Sequence, residues 1–502
     1  MTETAVPPSG VTGGSHGLAA GYAAVRALAS TYDTEGNRLR SQAGLGARTM
    51  ADDDLLESAL LAPWSFAEAE AAVLSATTGP DGLLVQSLAW EADALVVRVT
   101  IRAFEATDEL VHATFEVLDY AVGRAAGFAL AEVAVSGVLT APLWLPPLVL
   151  AGGSAITVYA VLPPALQDRL RETGGAVGDA LGADVQEWLI AHPELLQHLV
   201  NGGGGFVDGF WDGLTPTLPF GPLGVPLFTP SAEDAGQLLA GLYPDDGSAA
   251  VAVRDDLAGR SGPLPVPSSL ADVMAHLEAV NEWSGDEHPE NNGTIEIQSW
   301  TGSDGVRHHI VYLPGTDDLT TLPWAMDGDV RDLPTNFLVV NGQSTAYAQG
   351  ILQSMHAAGI GPTDPVLLAG HSQGGIEAAW IASHTDDFHI SQVVTAGSPI
   401  AVMGDYPDHT QVMAFEHHGD VVPLLDGEDN PDAVNHVTIT FDDHETDLGA
   451  NHGLVHYVHG AAGADRSTDP SITDQLAVLH EQGFLGGGVG AQSQAFQITR
   501  QP

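Results

Sequence analysis

A serine in a glycine-rich turn is the feature of this 502-residue sequence that most directly suggests chemistry. Ser372 lies in the pentapeptide GHSQG, between an apolar stretch, PVLLA, and a helix-like stretch, IEAAWIASH. G-x-S-x-G between a strand and a helix is typical of a nucleophile elbow, because small residues on both sides of the serine permit a sharp turn. The same turn directs the amide of Gln373 at a developing oxyanion. The pattern predicts a serine nucleophile for acyl transfer.

A serine hydroxyl needs a base, and the base needs an orienting acid, which in this architecture lies between the serine and the histidine in the chain. The stretch QVMAFEH is followed by HGDVVP, so Asp420 comes just after a predicted strand. It can therefore reach the same edge of the sheet as Ser372, and we predict it as the acid. Other carboxylates follow the elbow helix closely or lie in the polar turn DGEDNPD. They are Asp386, Asp387, Asp426 and Asp429.

The base is harder to choose, because the chain has 21 histidines and many of them follow Asp420 or closely precede it. It should lie after the last predicted strand, NHVTITF, and before the helix that packs on the sheet. The histidines in this region are His444, His452, His456 and His459. We favour His452, in GANHG at the junction of loop and helix, with His456 and His444 in reserve.

The elements that must position these residues begin near residue 291. Predicted strands (IEIQSW, HHIVYLP, PVLLAG, HISQVVTAG, QVMAFEH and NHVTITF) alternate with predicted helices, one of them from about Pro334 to Ala358. Alternation of this kind predicts an α/β domain with a mostly parallel sheet over residues 291–465. Residues 466–502 are predicted as a C-terminal helix and tail.

Four motifs in this region, in chain order, carry a resemblance to the α/β-hydrolases related to the fungal-type (class 3) lipases. They are PGT, GHSQGG, TAGSPI and HGDVVPLL, and the resemblance covers residues 295–460. The resemblance implies that Gly315-Thr316 contributes to the oxyanion hole with Gln373, that Ser372 is the nucleophile and Asp420 the acid. It further implies that His452, ahead of Tyr457, is the base. The expected function is a lipase-like serine hydrolase of lipid or acyl esters, with no cofactor and no metal.

The first 125 residues are predicted to form a helical hairpin or bundle. From Leu18, apolar or small residues recur at intervals of three and four, which is a heptad-like pattern. The arrangement weakly resembles the helical modules of actinobacterial type VII secretion substrates, although the Trp-x-Gly turn between helices is missing. A generic helical spacer or a self-association bundle is the alternative.

The middle of the chain allows two interpretations. Residues 126–167 are predicted to be an apolar helical segment, and residues 133–167 contain no charged side chain. Their length suits a bilayer span, yet prolines divide them, so membrane association competes with a buried pair of helices. Residues 168–290, with short helices at 168–200, 232–242 and 268–282, are predicted as a linker or as a cap over the catalytic domain.

Composition excludes several classes of function. The chain has 65 Asp+Glu against 15 Lys+Arg, a net charge of −50, and no cysteine. Such a negative field repels phosphate backbones, so nucleic acid is not an expected partner. Without thiols there is no disulfide framework, no cysteine nucleophile and no Cys-ligated metal. No signal peptide is visible, so a cytoplasmic location is the default expectation, with membrane association or type VII-like export as alternatives.

Two rival functions remain. His452 and His456 have the spacing of two metal ligands on one helix face, which would suit a metal-assisted hydrolase. However, Gly453 stands where H-E-x-x-H requires Glu. The other rival is a non-catalytic envelope or secretion-associated helical protein with a vestigial hydrolase domain.

Overall fold

The computed structural model describes residues 4–50, 62–78, 82–87, 90, 94, 97–98, 245, 247–259, 264–285, 287–302, 305–318, 321, 327–445, 447, 449–486 and 489–501. The chain divides into two units, residues 18–114 on the one hand and residues 1–17 with 115–502 on the other. The apolar segment 133–167 and the helices predicted at 168–200 and 232–242 lie outside the described residues. Within the described residues, no helix has both the length and the hydropathy that a bilayer span requires.

The unit formed by residues 18–114 is helical where it is described. Helix α1 runs from Leu18 to Met50, over the stretch with the heptad-like pattern, and helix α2 runs from Pro63 to Thr78. Helix α1 continues without interruption through Gly36. Tyr32 meets Trp90 edge-on with ring centroids 4.9 Å apart, and Asp33 pairs with Arg98. The prediction of self-association through these helices stays a prediction.

The other unit is built on a mixed β-sheet. Its strands are β1 (Pro8–Gly13), β2 (Ala249–Val253), β3 (Leu264–Pro265), β4 (Thr294–Thr301), β5 (Arg307–Leu313), β6 (Pro365–His371), β7 (His389–Ala396), β8 (Gln411–His417), β9 (His436–Phe441) and β10 (Val489–Arg500). The order is β1-β9-β8-β7-β6-β5-β4-β10-β2, with β3 paired to β10. Strands β5 to β9 are parallel, and the flanking pairs are antiparallel. The carboxyl ends of β5 to β9 therefore share one edge.

Helices cover both faces of this sheet. They are α3 (Leu270–Ser284), α4 (Leu333–Val340), α5 (Ala346–Ala357), α6 (Gln373–His384), α7 (Leu454–Ala464) and α8 (Pro470–Glu481). Alternate residues of β6 enter different cores: Leu367 and Ala369 pack with α3, α7 and α8, whereas Val366 and Leu368 pack with α5 and α6. Strands buried on both faces read as continuous apolar runs, which is why PVLLAG was recognisable as a strand. The predicted α/β class, with N-terminal helices, is confirmed.

The structure differs from the sequence prediction in several segments, and strands β2 and β3 form within residues 168–290, the predicted linker or cap. The helix expected from about Pro334 to Ala358 is two helices, α4 and α5, because the chain turns at Asn341-Gly342, where Gly342 has φ +72°. Residues 8–13, expected to belong to a helical region, form β1 on the outer edge of β9. Residues 489–500, expected to be a tail, form β10 between β4 and β2.

Candidate active site

Ser372 occupies a strained turn between a buried strand and a helix. Strand β6 ends at His371, and α6 begins at Gln373, so Ser372 alone connects them. Its φ is 51° and its ψ is −124°, a backbone conformation that costs about 1 to 3 kcal/mol for a residue other than glycine. Among the described non-glycine residues, His444 alone shares a positive φ. Strain of this kind persists only where the surroundings impose it, and it is common at active sites.

The glycines around Ser372 explain how the turn is imposed. A Cβ on Gly370 would lie 2.3 Å from the Gly374 oxygen, and a Cβ on Gly374 would lie 2.0 Å from the Leu313 oxygen. A Cβ on Gly375 would lie 2.0 Å from Ser398 Oγ. Only hydrogen fits at these three positions. The glycine pattern in the sequence therefore has a steric origin in the close contact of β5, β6 and α6.

The predicted acid and the predicted base are hydrogen-bonded to each other. Asp420 follows β8 by three residues, and His452 ends a 3₁₀ turn, Ala450–His452, just before α7. His452 Nδ1 lies 2.7 Å from Asp420 Oδ2. Asp420 is buried, whereas a quarter of the His452 side chain is exposed. The ring thus has one nitrogen held by a buried carboxylate and one left for a reacting group.

Two more donors hold the Asp420 carboxylate. The Tyr457 hydroxyl donates to Oδ2 at 2.5 Å, and the Val422 N–H donates to Oδ1 at 2.9 Å. Burial would raise the pKa of Asp420, but the charge of His452 and the bonds from His452, Tyr457 and Val422 lower it below its ordinary value. Asp420 is therefore an anion at neutral pH. Its orientation and its charge suit it to hold an imidazolium.

His371 connects the serine turn to the base. Its Nε2–H donates to the backbone oxygen of His452 at 2.9 Å, and the two rings lie 4.6 Å apart. Burial lowers the pKa of His371 to about 3, so the ring is neutral. The hydrogen bonds join His452 to Asp420 and none joins it to Ser372 Oγ. Catalytic hydrogen bonds are often long without substrate and tighten in the complex.

The predicted oxyanion residues lie beside the serine. A Cβ on Gly315 would come within 3.0 Å of the Ser372 Cβ, so the loop after β5 passes close to the nucleophile. Thr316 Oγ1 donates to Gln373 Oε1 at 3.3 Å and accepts from Asn336 Nδ2 at 2.8 Å. The N–H of Gln373 belongs to the first turn of α6, where amides have no intrahelical acceptor. The backbone N–H of Gln373 and Thr316 can therefore stabilise the same oxyanion oxygen.

The reserve histidines lie elsewhere. His456 Nδ1 bonds to Asp443 Oδ2 at 2.6 Å rather than to Asp420. The side chain of His444 is 87 % exposed and pairs with Asp442. Of the competing acids, Asp426 is buried and accepts the N–H of Ala401 at 2.7 Å. Of the candidates, the structure brings only His452 and Asp420 together at the serine turn.

A second histidine–carboxylate cluster, which the sequence pattern does not indicate, lies beside the first. His417, Asp443 and His456 present ring nitrogens and a carboxylate within 4.8 Å of one another, close enough to hold a metal ion. The predicted metal pair, His452 and His456, is not this group, because His452 bonds to Asp420. The signal available in the sequence was the acidic loop FDDHE, which follows β9 and lies level with the end of β8.

Glu377, on the second turn of α6, provides a pH-dependent test of this region. It is fully buried, Thr345 Oγ1 donates to its Oε1 at 2.6 Å, and its Oε2 has no partner. Burial raises the pKa of Glu377 to about 8. Between pH 5 and pH 8 the Glu377 carboxyl is mostly ionised in the unfolded chain, whereas the folded chain keeps it protonated. The free energy of unfolding should therefore fall by on the order of 4 kcal/mol from this group.

The variant Glu377→Gln cannot titrate, so its unfolding free energy should lack that fall. Denaturant titrations of wild type and variant at pH 5, 6, 7 and 8 measure the difference. The exposed Glu481→Gln change, at the end of α8, is the control and should leave the wild-type pH dependence intact. Parallel curves for wild type and Glu377→Gln would contradict the assignment.

No match results from comparing the chain with the models of known protein families, with curated proteins or with solved structures. The fold and the geometry of the site are therefore the basis on which a class is proposed for this protein. The chain contains a mixed β-sheet with a strained serine at the carboxyl end of a central parallel strand, and beside it a histidine bonded to a buried aspartate.

Proposed function

We propose that this protein is a serine hydrolase of the α/β-hydrolase type, similar to the class 3 lipases, that cleaves carboxylic esters through Ser372, His452 and Asp420. One observation carries the proposal: a serine with φ 51° between a parallel strand and a helix, next to a histidine bonded at 2.7 Å to a buried carboxylate. A structural turn has no need of such a serine, and a structural ion pair has no need of that location.

The mechanism follows from these groups. His452 Nε2 takes the proton of Ser372 Oγ as Oγ attacks the ester carbonyl, and Asp420 holds the resulting imidazolium through Nδ1–H. The N–H of Gln373 and the Thr316 region stabilise the tetrahedral oxyanion. His452 then gives its proton to the leaving alcohol, which leaves Ser372 acylated. Water activated by the same ring releases the acid and restores the serine.

Lipid or acyl esters are the substrate class we propose. Thr316 lines a cleft of about 610 Å³ whose walls include Trp283, Glu282 and His288, so there is room beside the oxyanion residues for part of a substrate. The net charge of −50 disfavours polyanionic substrates such as nucleic acids. Thioesters and amides react by the same chemistry and are distinguished only by assay.

The test is covalent labelling with a fluorophosphonate probe, followed by peptide mass spectrometry of the full chain. The probe should attach to Ser372, and labelling should be lost when Asp420 or His452 is replaced. It should survive a chelator, which a metal-assisted hydrolase would not predict. Ser383→Ala, at the other end of α6, is the matched control and should label like wild type. Absence of label at Ser372 would instead support the non-catalytic alternative.

A further inference from the structure

A second carboxylate–imidazole pair, Asp443 with His417, lies next to the proposed acid, Asp420. His417 ends β8, three residues before Asp420, and its side chain has no exposed surface. Its Nε2 lies 2.9 Å from Asp443 Oδ1. Its Nδ1 accepts the backbone N–H of Gly419 at 3.1 Å. The ring therefore joins the Asp443 carboxylate on one side to the N–H of Gly419, the residue before Asp420, on the other.

The tautomer of His417 follows from these contacts. Because Nδ1 accepts a backbone N–H, it carries a lone pair, and the proton of the neutral ring is on Nε2, facing the carboxylate. The N–H of Asp443 also lies 3.4 Å from Nε2, but this contact is the longer of the two that an N–H makes with the ring. Burial would raise the pKa of Asp443, but bonds from His456 and His417 lower it to about 2. An ionised acceptor thus fixes the tautomer.

Gly419 is also held at its carbonyl oxygen, by the segment that carries the base. Asn451 Nδ2 donates to the Gly419 oxygen at 3.2 Å. A Cβ on Gly419 would lie 2.1 Å from that same nitrogen, so only glycine permits the contact. Gly419 precedes Asp420 and Asn451 precedes His452. Gly419, held at its N–H by His417 and at its carbonyl oxygen by Asn451, is therefore the junction between the acid and the base.

We propose that His417, with its tautomer fixed by Asp443, is a positioning residue that holds the N–H of Gly419 so that Asp420 meets His452. The inference rests on the proposed function, because what is positioned is the proposed Asp–His pair. The same three side chains could be read as a metal site. A metal on Nε2 would move the ring proton to Nδ1, where it would face the Gly419 N–H. The hydrogen-bonded arrangement therefore accounts for the two shortest contacts of the ring, with Asp443 Oδ1 and with the Gly419 N–H, and the metal-bound one does not.

Two variants of His417 separate the two sides of the ring. In His417→Asn the amide oxygen can take the place of Nδ1 and accept the Gly419 N–H, although the link to Asp443 is lost. In His417→Gln the amide nitrogen can take the place of Nε2 and reach Asp443, although no atom accepts the Gly419 N–H. Gln fills the buried volume better than Asn. Packing therefore ranks Gln as the more stable variant, while positioning ranks Asn as the more active.

The measurements are kcat and KM for a short p-nitrophenyl ester, together with thermal unfolding, on the full chain. His417→Gln should lower kcat by about 10²-fold with KM unchanged, because displacement of a catalytic group by about 1 Å has that effect. His417→Asn should have the higher kcat and the lower Tm of the two. The exposed His444→Asn change is the control. Activity that simply follows stability, with Gln above Asn, would overturn the proposal.

A spectroscopic measurement tests the positioning without relying on turnover. The His452 Nδ1 proton, bonded to Asp420, should give a low-field proton NMR signal that His417→Gln shifts or broadens and His417→Asn preserves. A signal identical in wild type and His417→Gln would overturn the proposal even in an active enzyme. A wild type that neither labels at Ser372 nor turns over ester would remove the proposed function, while the NMR comparison would still report on the junction. Stoichiometric Zn²⁺ in the purified protein, lost in both variants, would also overturn it in favour of a metal site.

Discussion

Replacing Ser372 with alanine is expected to lower kcat for a short p-nitrophenyl ester by about 10⁶-fold, leaving only the roughly 10³- to 10⁴-fold residual catalysis that the oxyanion hole and substrate binding supply. In the proposed mechanism Oγ is the atom that attacks the carbonyl, and the substitution removes it. His452 keeps its bond to Asp420, but a base without a nucleophile offers only weak catalysis of attack by water. Single-turnover and steady-state assays on the full chain measure the loss.

The fold should survive this change, because alanine keeps the Cβ and meets the same backbone strain at φ 51° as serine does. Thermal unfolding of Ser372→Ala should therefore match that of wild type, and Ser383→Ala should match wild type in both stability and kcat. Ester turnover by Ser372→Ala within about tenfold of wild type, in a cleanly folded sample, would remove Ser372 as the nucleophile.

The serine turn could be predicted from the sequence because its determinants are local. The apolar run of β6, the glycines at positions 370, 374 and 375 and the start of α6 are contiguous. Gly370 is required by the Gly374 oxygen within the turn, whereas Gly374 and Gly375 are required by Leu313 and Ser398, which the neighbouring strands bring to it. The parallel strands β5 to β9 are readable for a related reason, since burial on both faces gives several of them a continuous apolar stretch, such as IVYL in β5, VLLAG in β6 and VMAF in β8.

The sequence favours His452 as the base without excluding His456, because the choice depends on which carboxylate each loop meets. His452 and His456 are four residues apart, yet one bonds to Asp420 and the other to Asp443. Spacing along the chain does not distinguish them. Only the 3₁₀ turn Ala450–His452, held by the bond from Asn451 to Gly419, brings His452 rather than His456 to the acid.

The strands β1 and β10 escaped prediction because their signals are weak and their partners are distant. Strand β1 is a six-residue segment, PSGVTG, and pairs with β9 more than 400 residues later in the chain. Strand β10, VGAQSQAFQITR, is rich in glutamine and lacks the apolar run of a doubly buried strand. Both were predicted to be other than strands, and both are placed by long-range pairing.

The acidity of the chain is not only a property of its surface. Asp332 is buried and forms a two-bonded ion pair with Arg500, at 2.8 and 2.9 Å, and Arg500 also pairs with Asp245. The fully buried Arg331 pairs with Asp317. In a chain with 15 cationic side chains, two are thus placed inside the unit that carries the site, next to the segment that leads into α4. Carboxylates of this acidic chain therefore also serve, inside the fold, as ion-pair partners of these two arginines.

Replacing Asp420 with asparagine is expected to lower kcat by about 10⁴-fold with little change in KM. Asp420 accepts three hydrogen bonds, from His452, Tyr457 and Val422. An amide has one oxygen, so it can accept from Val422 on one side or from His452 and Tyr457 on the other. If the NH₂ group faces His452, the ring must accept at Nδ1 and carry its proton on Nε2. That tautomer cannot take the proton of Ser372.

Kinetics of Asp420→Asn on the full chain, with Tm measured alongside, separate a tautomer effect from unfolding. Asp426→Asn is the matched control, because Asp426 is also buried but bonds to Ala401 rather than to a histidine. It should keep kcat within a few-fold of wild type. If Asp420→Asn keeps more than about a tenth of the wild-type kcat, the acid is another carboxylate, and Asp443 with His456 becomes the pair to replace next. A selective loss in Asp420→Asn would show that the buried carboxylate acts through His452, since Asp443 already holds two other histidines and cannot take over that ring.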